Sequence, residues 1–230
     1  MPAAGARRTP VEGCLAAGRL PVSKNPGSLL FLGKQQDGHT GRAADFCRRN
    51  FTRVGVCLGK WDDPFPAGAR ASDWDYIISY LSRWIVPADL LNKAKLAINF
   101  HPGTPEYPGY GCNNFAIYEE ARDYGVCCHH MTARVDTGAI IATRRFPVLL
   151  NDDGGTLLAR AYDYQLVLFY EIVARIIREE ALPVSGEKWT RKPFTRRQFD
   201  ELGRITADMA QDEVARRTRA VNVSALKPAG

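Results

Sequence analysis

Leu96-Ala97-Ile98-Asn99-Phe100-His101, stopped by Pro102-Gly103, is the stretch on which the fold turns. A short apolar run closed by Pro-Gly reads as a buried strand, too short for a helix. Working back toward the N-terminus, the same signature recurs three times. It appears in Asp75-Tyr76-Ile77-Ile78-Ser79-Tyr80-Leu81, in Arg53-Val54-Gly55-Val56-Cys57-Leu58 and in Leu29-Leu30-Phe31-Leu32-Gly33. Residues 41–50 have helical character, with Ala43, Ala44 and Cys47 on one face, and Pro87 opens a short helix through Leu91. Strands alternating with helices predict an α/β fold, a doubly wound, mostly parallel sheet with crossovers.

Working forward, a helix is expected from Cys112 to Arg122. Two strands, Val126 to Met131 and Ala139 to Phe146, flank the Asp136-Thr137-Gly138 turn. Thr156 reads as the N-cap of the strongest helix, running to about Glu180. Its stripe passes through Leu158, Tyr162, Gln165, Leu166, Phe169, Ile172, Val173, Ile176 and Ile177. Thr195-x-x-Gln198 is a capping-box pattern for one further helix. Residues 1–28, rich in Ala, Gly, Pro and Arg without periodicity, are expected to be a disordered leader. Residues 29–185 then form one domain, and 186–230 a short, basic, helical appendage.

The 230 residues are 45% hydrophobic and 24% charged, enough for a globular core. No run approaches the roughly 18 apolar residues of a membrane span, so no membrane partner is expected. Arg7 and Arg8 are followed by no apolar segment of a secretory signal. The net charge of +6 suggests nucleic acid until its distribution is read. Residues 1–28 and 186–230 together hold +7, and residues 29–185 hold −1. A near-neutral body with basic ends lacks the phosphate grip of a nucleic-acid binder. The six cysteines form no C-x-x-C, which predicts reduced thiols and a cytoplasmic protein. Cys128, His129 and His130 are consecutive, and neighbours on a strand diverge, so no metal site is expected. Gly33-x-x-x-x-Gly38 lacks the Lys-Ser/Thr of a phosphate loop.

Asn99 and His101 are two apart, so both leave the same face of their strand. They stand at its carboxyl end, where open parallel sheets place ligand crevices. An amide and an imidazole presented together can hydrogen-bond one carbonyl oxygen and stabilise it as an oxyanion. Asp136 follows His101 by 35 residues and, if close, would orient the ring and favour its charge. Spacing alone does not establish that closeness. Asn at a strand end and an Asp-Thr-Gly turn serve equally as local structure.

Several motifs in order narrow the choice: Asn99-Phe100-His101-Pro102-Gly103, Tyr107-Pro108-Gly109, Gly125-Val126-x-x-His129 and Asp136-Thr137-Gly138-x-Ile140-Ile141. Together they resemble the formyltransferases that use N10-formyltetrahydrofolate, over roughly residues 29–185. The resemblance implies a Rossmann-like formyltransferase fold with Asn99, His101 and Asp136 as catalytic groups. In that family the methionyl-tRNA and glycinamide ribonucleotide enzymes follow the His with a Ser-Leu-Leu-Pro loop. Here the loop reads Gly103-Thr104-Pro105-Glu106. His101-Pro102-Gly103-x-Pro105-x-Tyr107-Pro108-Gly109, with Gly111-Cys112-Asn113-Asn114-Phe115-Ala116 after it, resembles the nucleotide-sugar N-formyltransferases. Those enzymes formylate an amine on a dTDP-linked deoxysugar. Leu32-Gly33-Lys34 and Gly59-Lys60-Trp61 resemble the same branch.

What the resemblance implies is direct acyl transfer, with N10-formyltetrahydrofolate as cosubstrate, no metal, and a nucleotide-linked amino sugar as partner. Asn99 and protonated His101 would stabilise the tetrahedral oxyanion, and Asp136 would sustain the imidazolium. The pterin is implied near Arg83-Trp84-Ile85 and the loop Thr132-Ala133-Arg134-Val135, with Trp84 read equally as core. Tyr107 is implied as a wall for the sugar, and Lys34, Trp189, Lys188 and Arg191 for the diphosphate or base. The resemblance admits a homodimer and implies further strands after a segment like Arg216 to Ala220. Methionyl-tRNA, glycinamide ribonucleotide or an amino acid stay open as acceptors, as does a non-catalytic folate- or nucleotide-binding module. The intact Asn99, His101 and Asp136 speak against that module.

Overall fold

The computed structural model describes residues 26–222. Six strands form one sheet in the order β2-β1-β3-β4-β5-β6. They are β1 (Ser28–Lys34), β2 (Arg53–Gly59), β3 (Tyr76–Tyr80), β4 (Leu96–His101), β5 (Asp123–His130) and β6 (Ile140–Pro147). The first four are parallel, β5 is antiparallel to β4, and β6 is antiparallel to β5. The chain steps from β1 to β2 on one side and returns to β3 on the other. That reversal leaves a crevice at the carboxyl ends of β1 and β3.

Side-chain alternation sorts each strand between two cores. Leu29, Phe31, Ile78, Tyr80, Ile98 and Phe100 enter the larger one, with α1 (Gly38–Asn50) and α4 (Gly154–Ile177) packed on it. Phe169 of α4 is fully buried there, its ring 5.2 to 6.4 Å from those of Phe100, Tyr80 and Phe31. Burial of one such side chain contributes about 1.5–3 kcal/mol. Leu30, Leu32 and Ile77 face the smaller core, with Ala97 packed beside them. Its cover is a single 3-10 turn, Ala67–Arg70, and the four-residue helix α2 (Ala88–Leu91). Asn99 and His101 continue the Ala97 face, so they lie on the thinly covered side of the sheet.

Several boundaries differ from the sequence expectation. The N-cap of α4 is Asp153, whose carboxylate accepts the Thr156 N–H while the Thr156 hydroxyl accepts the Asp153 N–H. Thr156 is therefore the reciprocal member of a capping box, and the helix ends at Ile177. Helix α3 (Cys112–Tyr118) stops before Arg122, where Glu120 turns left-handed at φ 54°. Pro26, inside the expected leader, accepts the Thr52 N–H and so belongs to the described fold. Residues 1–25 and 223–230 lie outside the described residues.

The Thr195–Gln198 capping box starts α5 (Arg196–Leu202). A helix that periodicity did not predict, α6 (Gln211–Val221), follows it where the resemblance implied an approach to strands. It docks on α3 through Asn114, whose amide donates to the Ala220 carbonyl, and through Tyr118, which bonds Glu213. Leu202 and Ala220 enter the larger core, and Phe194 stacks on Phe115 at 3.8 Å. The expected appendage is thus built into the body of the domain.

Candidate active site

β4 delivers Asn99 and His101 to the carboxyl end of the sheet, and β5 runs back beside it. The antiparallel register pairs Asn99 with His129, so the two side chains are cross-strand neighbours. Opposite His129, β6 carries an irregularity: Cys128 pairs with Ala142 but His129 with Ile140. A bulge of that kind bends the strand and re-aims what stands next to it. Between β5 and β6 the chain turns through Asp136, held at φ 46°, a left-handed conformation that Asp tolerates better than most residues. Gly138 closes the turn, because a Cβ there would collide with the His130 carbonyl.

These elements converge on one buried cluster. His101 and Asp136 are each only 5% exposed. Asp136 Oδ2 accepts the Gly109 N–H at 2.8 Å and lies 3.3 Å from His101 Nδ1, an ion pair. Asp136 Oδ1 lies 3.2 Å from His129 Nε2. His101 Nε2 donates to the Tyr107 carbonyl at 3.0 Å. Burial is the largest influence on the His101 imidazole and opposes its charge. The Asp136 carboxylate, the neighbouring Cys112 and the Tyr107 carbonyl outweigh it and raise the ring to about 9. Burial pushes Asp136 upward in turn, but His101, His129 and the Gly109 N–H hold it well below the usual carboxylate range. The pair is therefore imidazolium and carboxylate at neutral pH.

His129 is the member of the cluster to which the sequence assigned no role. Its Nδ1 faces the His130 carbonyl at 2.9 Å, which can only accept, so Nδ1 carries a hydrogen. Its Nε2 meets both the Asn99 amide nitrogen, at 3.1 Å, and Asp136. A neutral ring accepts from Asn99 and a charged ring donates to Asp136, so His129 couples the other members. The signal available was its position seven residues before Asp136 on a strand feeding the same turn.

The cluster opens into a cavity of about 850 Å³. Its lining includes Asn99, His101, His129 and Asp136, and also Arg83, Trp84, Ile85, Thr132, Arg134 and Val135 from the segments expected at the pterin. Ala133 does not line it. Lys34 does, its ammonium 5.2 Å from the Tyr162 ring. Trp84 also packs on Phe65 and donates to the Asp63 carbonyl.

Four residues expected at the acceptor lie outside the cavity. Tyr107 is buried in the larger core and meets His101 through its carbonyl. Arg191 is tied to Glu119 by two hydrogen bonds and covers Tyr107 and Phe194. Trp189 packs edge-on to His129 and His101, at 5.0 and 6.0 Å, and donates to the Gly138 carbonyl at 2.7 Å. It is a back wall of the cluster of His101, His129 and Asp136. Lys188 is exposed. The opposite wall is instead formed by Tyr110, Cys112 and the C-terminal residues Phe194, Thr195, Arg196 and Phe199. Among the described residues no set of three or more His, Cys, Asp or Glu is placed to hold a metal ion. No described helix is long and apolar enough to cross a membrane.

The formyl transferase family model matches residues 66–173. Methionyl-tRNA formyltransferase of Levilactobacillus brevis is 31% identical over 116 residues, covering 50% of this chain and 37% of that protein. Chloroplastic phosphoribosylglycinamide formyltransferase of Vigna unguiculata is 31% identical over 114 residues, 46% of this chain and 36% of that protein. The chain spans little more than a third of the length of these curated relatives. A sugar N-formyltransferase from a Shewanella species shares the fold at a TM-score of 0.68 and 17% identity, over 87% of this chain and 90% of that one. The N-formyltransferase of Helicobacter canadensis, solved with folinic acid and dTDP-3-aminofucose, gives 0.67 and 21%, over 84% and 79%.

Proposed function

From the match of residues 66–173 to the formyl transferase family model, we propose that this chain formylates the amine of a nucleotide-linked amino deoxysugar, with N10-formyltetrahydrofolate as donor. The observation that carries the reading is the meeting of Asn99, His101 and Asp136 in one buried cluster at the floor of a cavity. At about 850 Å³ the cavity is within the range of small-molecule sites. Its lining carries Lys34, Arg83, Arg134 and Arg196 against the single carboxylate Asp136. That balance suits ligands bearing phosphates and carboxylates. The ligands named for the Helicobacter canadensis enzyme, folinic acid and dTDP-3-aminofucose, have this character.

In the proposed reaction the neutral amine attacks the formyl carbon, and the carbonyl electron pair moves to oxygen. With His101 Nε2–H committed to Tyr107, the Asn99 amide is the hydrogen-bond donor for the oxyanion. The positive charge of His101, ion-paired with Asp136 at Nδ1, stabilises it electrostatically. Collapse of the intermediate breaks the bond to N10, which takes a proton as the amine gives one up. Asp136 keeps the imidazole charged through these steps. One such donor is worth about 2.7–4 kcal/mol of barrier.

A second reading keeps the chemistry and changes the acceptor to methionyl-tRNA or glycinamide ribonucleotide. The identities of the curated relatives favour it. Incubation with N10-formyltetrahydrofolate and a panel of nucleotide-linked amino sugars, glycinamide ribonucleotide and charged initiator tRNA, followed by product mass, separates the two. Formylation of tRNA or the ribonucleotide alone moves the protein to the second reading, and no product from any acceptor rejects both. The proposal extends to a cytoplasmic homodimer, which sedimentation checks for assembly.

A further inference from the structure

The floor of the cavity is the catalytic cluster, and its outer end is built from different chemistry. Trp61, in the loop after β2, is 42% exposed. Its ring stands edge-on to Tyr110 at 5.1 Å, and Tyr110 stands edge-on to Phe199 at 5.2 Å. Two guanidinium groups lie over the Trp61 ring, Arg83 at 4.9 Å and Arg196 at 5.6 Å. Arg196 is also 5.2 Å from the Tyr110 ring. The residues come from the β2–β3 connection, the loop after β3, the loop before α3 and the start of α5, yet all line one cavity.

Two like charges gathered at one indole repel each other, and little nearby neutralises them. Arg196 pairs with Asp200 and feels Asp62 more weakly. Among the described residues no carboxylate comes within ion-pair distance of Arg83. Lys34, on the same cavity wall, is held by Asp37 at a loose 3.4 Å. Such a site is completed by an anion at the guanidinium groups and a flat ring on the exposed aromatic faces.

We propose that Trp61, Tyr110, Arg83 and Arg196 recognise an aromatic ring joined to an anionic group. This rests on the reading above, whose two ligands both carry that chemistry. One source is the nucleoside diphosphate end of the acceptor, and the other is the benzoyl-glutamate arm of the folate.

The test is calorimetric titration without turnover. The full chain and its Trp61→Ala, Trp61→Phe and Arg83→Gln variants are titrated with dTDP and, separately, with folinic acid. Thermal melting of each variant confirms that it is folded. At least one ligand is expected to lose about tenfold or more in affinity in Trp61→Ala and Arg83→Gln. Trp61→Phe, which keeps a ring, is expected to recover most of the loss. Added salt is expected to weaken the same ligand. Loss for dTDP identifies the nucleotide end, and loss for folinic acid the folate arm. Binding of both within twofold of wild type in Trp61→Ala and Arg83→Gln overturns the proposal, as does a wild-type chain that binds neither. A chain that formylates no amino sugar but shows the expected losses sinks the functional reading and leaves this one. Active transfer with unchanged binding does the reverse.

Discussion

Asp136→Asn removes a charge while keeping an oxygen that can still accept the Gly109 N–H. In the native cluster, burial opposes the His101 charge and the carboxylate 3.3 Å away is the largest influence holding the ring near 9. Without the carboxylate the largest influence raising the ring is lost, and burial pulls it down from about 9. Breaking one partner from a buried pair costs about 3–5 kcal/mol, which at 1.36 kcal/mol per pH unit is a fall of about two units or more. At pH 7.5 the charged fraction of His101 then drops from about 97% to about a quarter or less, so transfer slows about fourfold or more from protonation alone. The linkage has a defined sign. The His101 contribution to stability is full below 6.5 and is lost as pH rises through about 9. The Asp136 contribution is full above 3.8 and is lost as pH falls toward its depressed native value. The stability gap between wild type and Asp136→Asn is therefore widest from about pH 4 to 6.5 and closes toward pH 9 and above. With only four histidines in the chain, imidazole proton NMR can follow each titration. The wild-type spectrum should contain one ring titrating near 9 that Asp136→Asn moves down by about two units or more. A wild-type His101 titrating at or below 6.5 would refute the reasoning.

Three further outcomes follow from the same geometry. His129→Phe removes the partner shared by Asn99 and Asp136, and should lower kcat about tenfold or more while leaving folinic acid affinity unchanged. Asp153→Ala breaks the α4 capping box, costing about 1 kcal/mol, which calorimetry would read as a Tm lower by about 2–4 °C. Gly138→Ala drives a Cβ into the His130 carbonyl and disturbs the turn that Trp189 braces. Its cost of about 1–3 kcal/mol is measurable by urea unfolding.

How much of this was legible in the sequence depended on whether the information was local. The strands and the shared face of Asn99 and His101 follow from alternation within six residues, and the structure keeps both. The approach of Asp136 to His101 does not, because it depends on β5 and β6 returning antiparallel and on a left-handed turn between them. His129 was discounted because its neighbours on the strand diverge, which is true along β5 but silent about β4 across from it. Helix α6 escaped because Gln211–Val221 is polar, with Ala220 its single buried residue, leaving no apolar stripe to read. Trp189 and Arg191 looked like ligand groups by residue type. The ion pair with Glu119 and the stacking on the two histidines that reassign them join residues more than 50 apart in sequence.

The most direct measurement of the central claim is transfer of a labelled formyl carbon. Wild type and His101→Ala are mixed with N10-[¹³C]formyltetrahydrofolate and a nucleotide-linked amino sugar, and the label is followed by NMR in a single turnover. Label is expected on the sugar amine with wild type, and a rate lower by about 10²–10³ in a folded His101→Ala. A His101→Ala rate within tenfold of wild type would contradict it, as would wild-type protein that leaves the label on the folate.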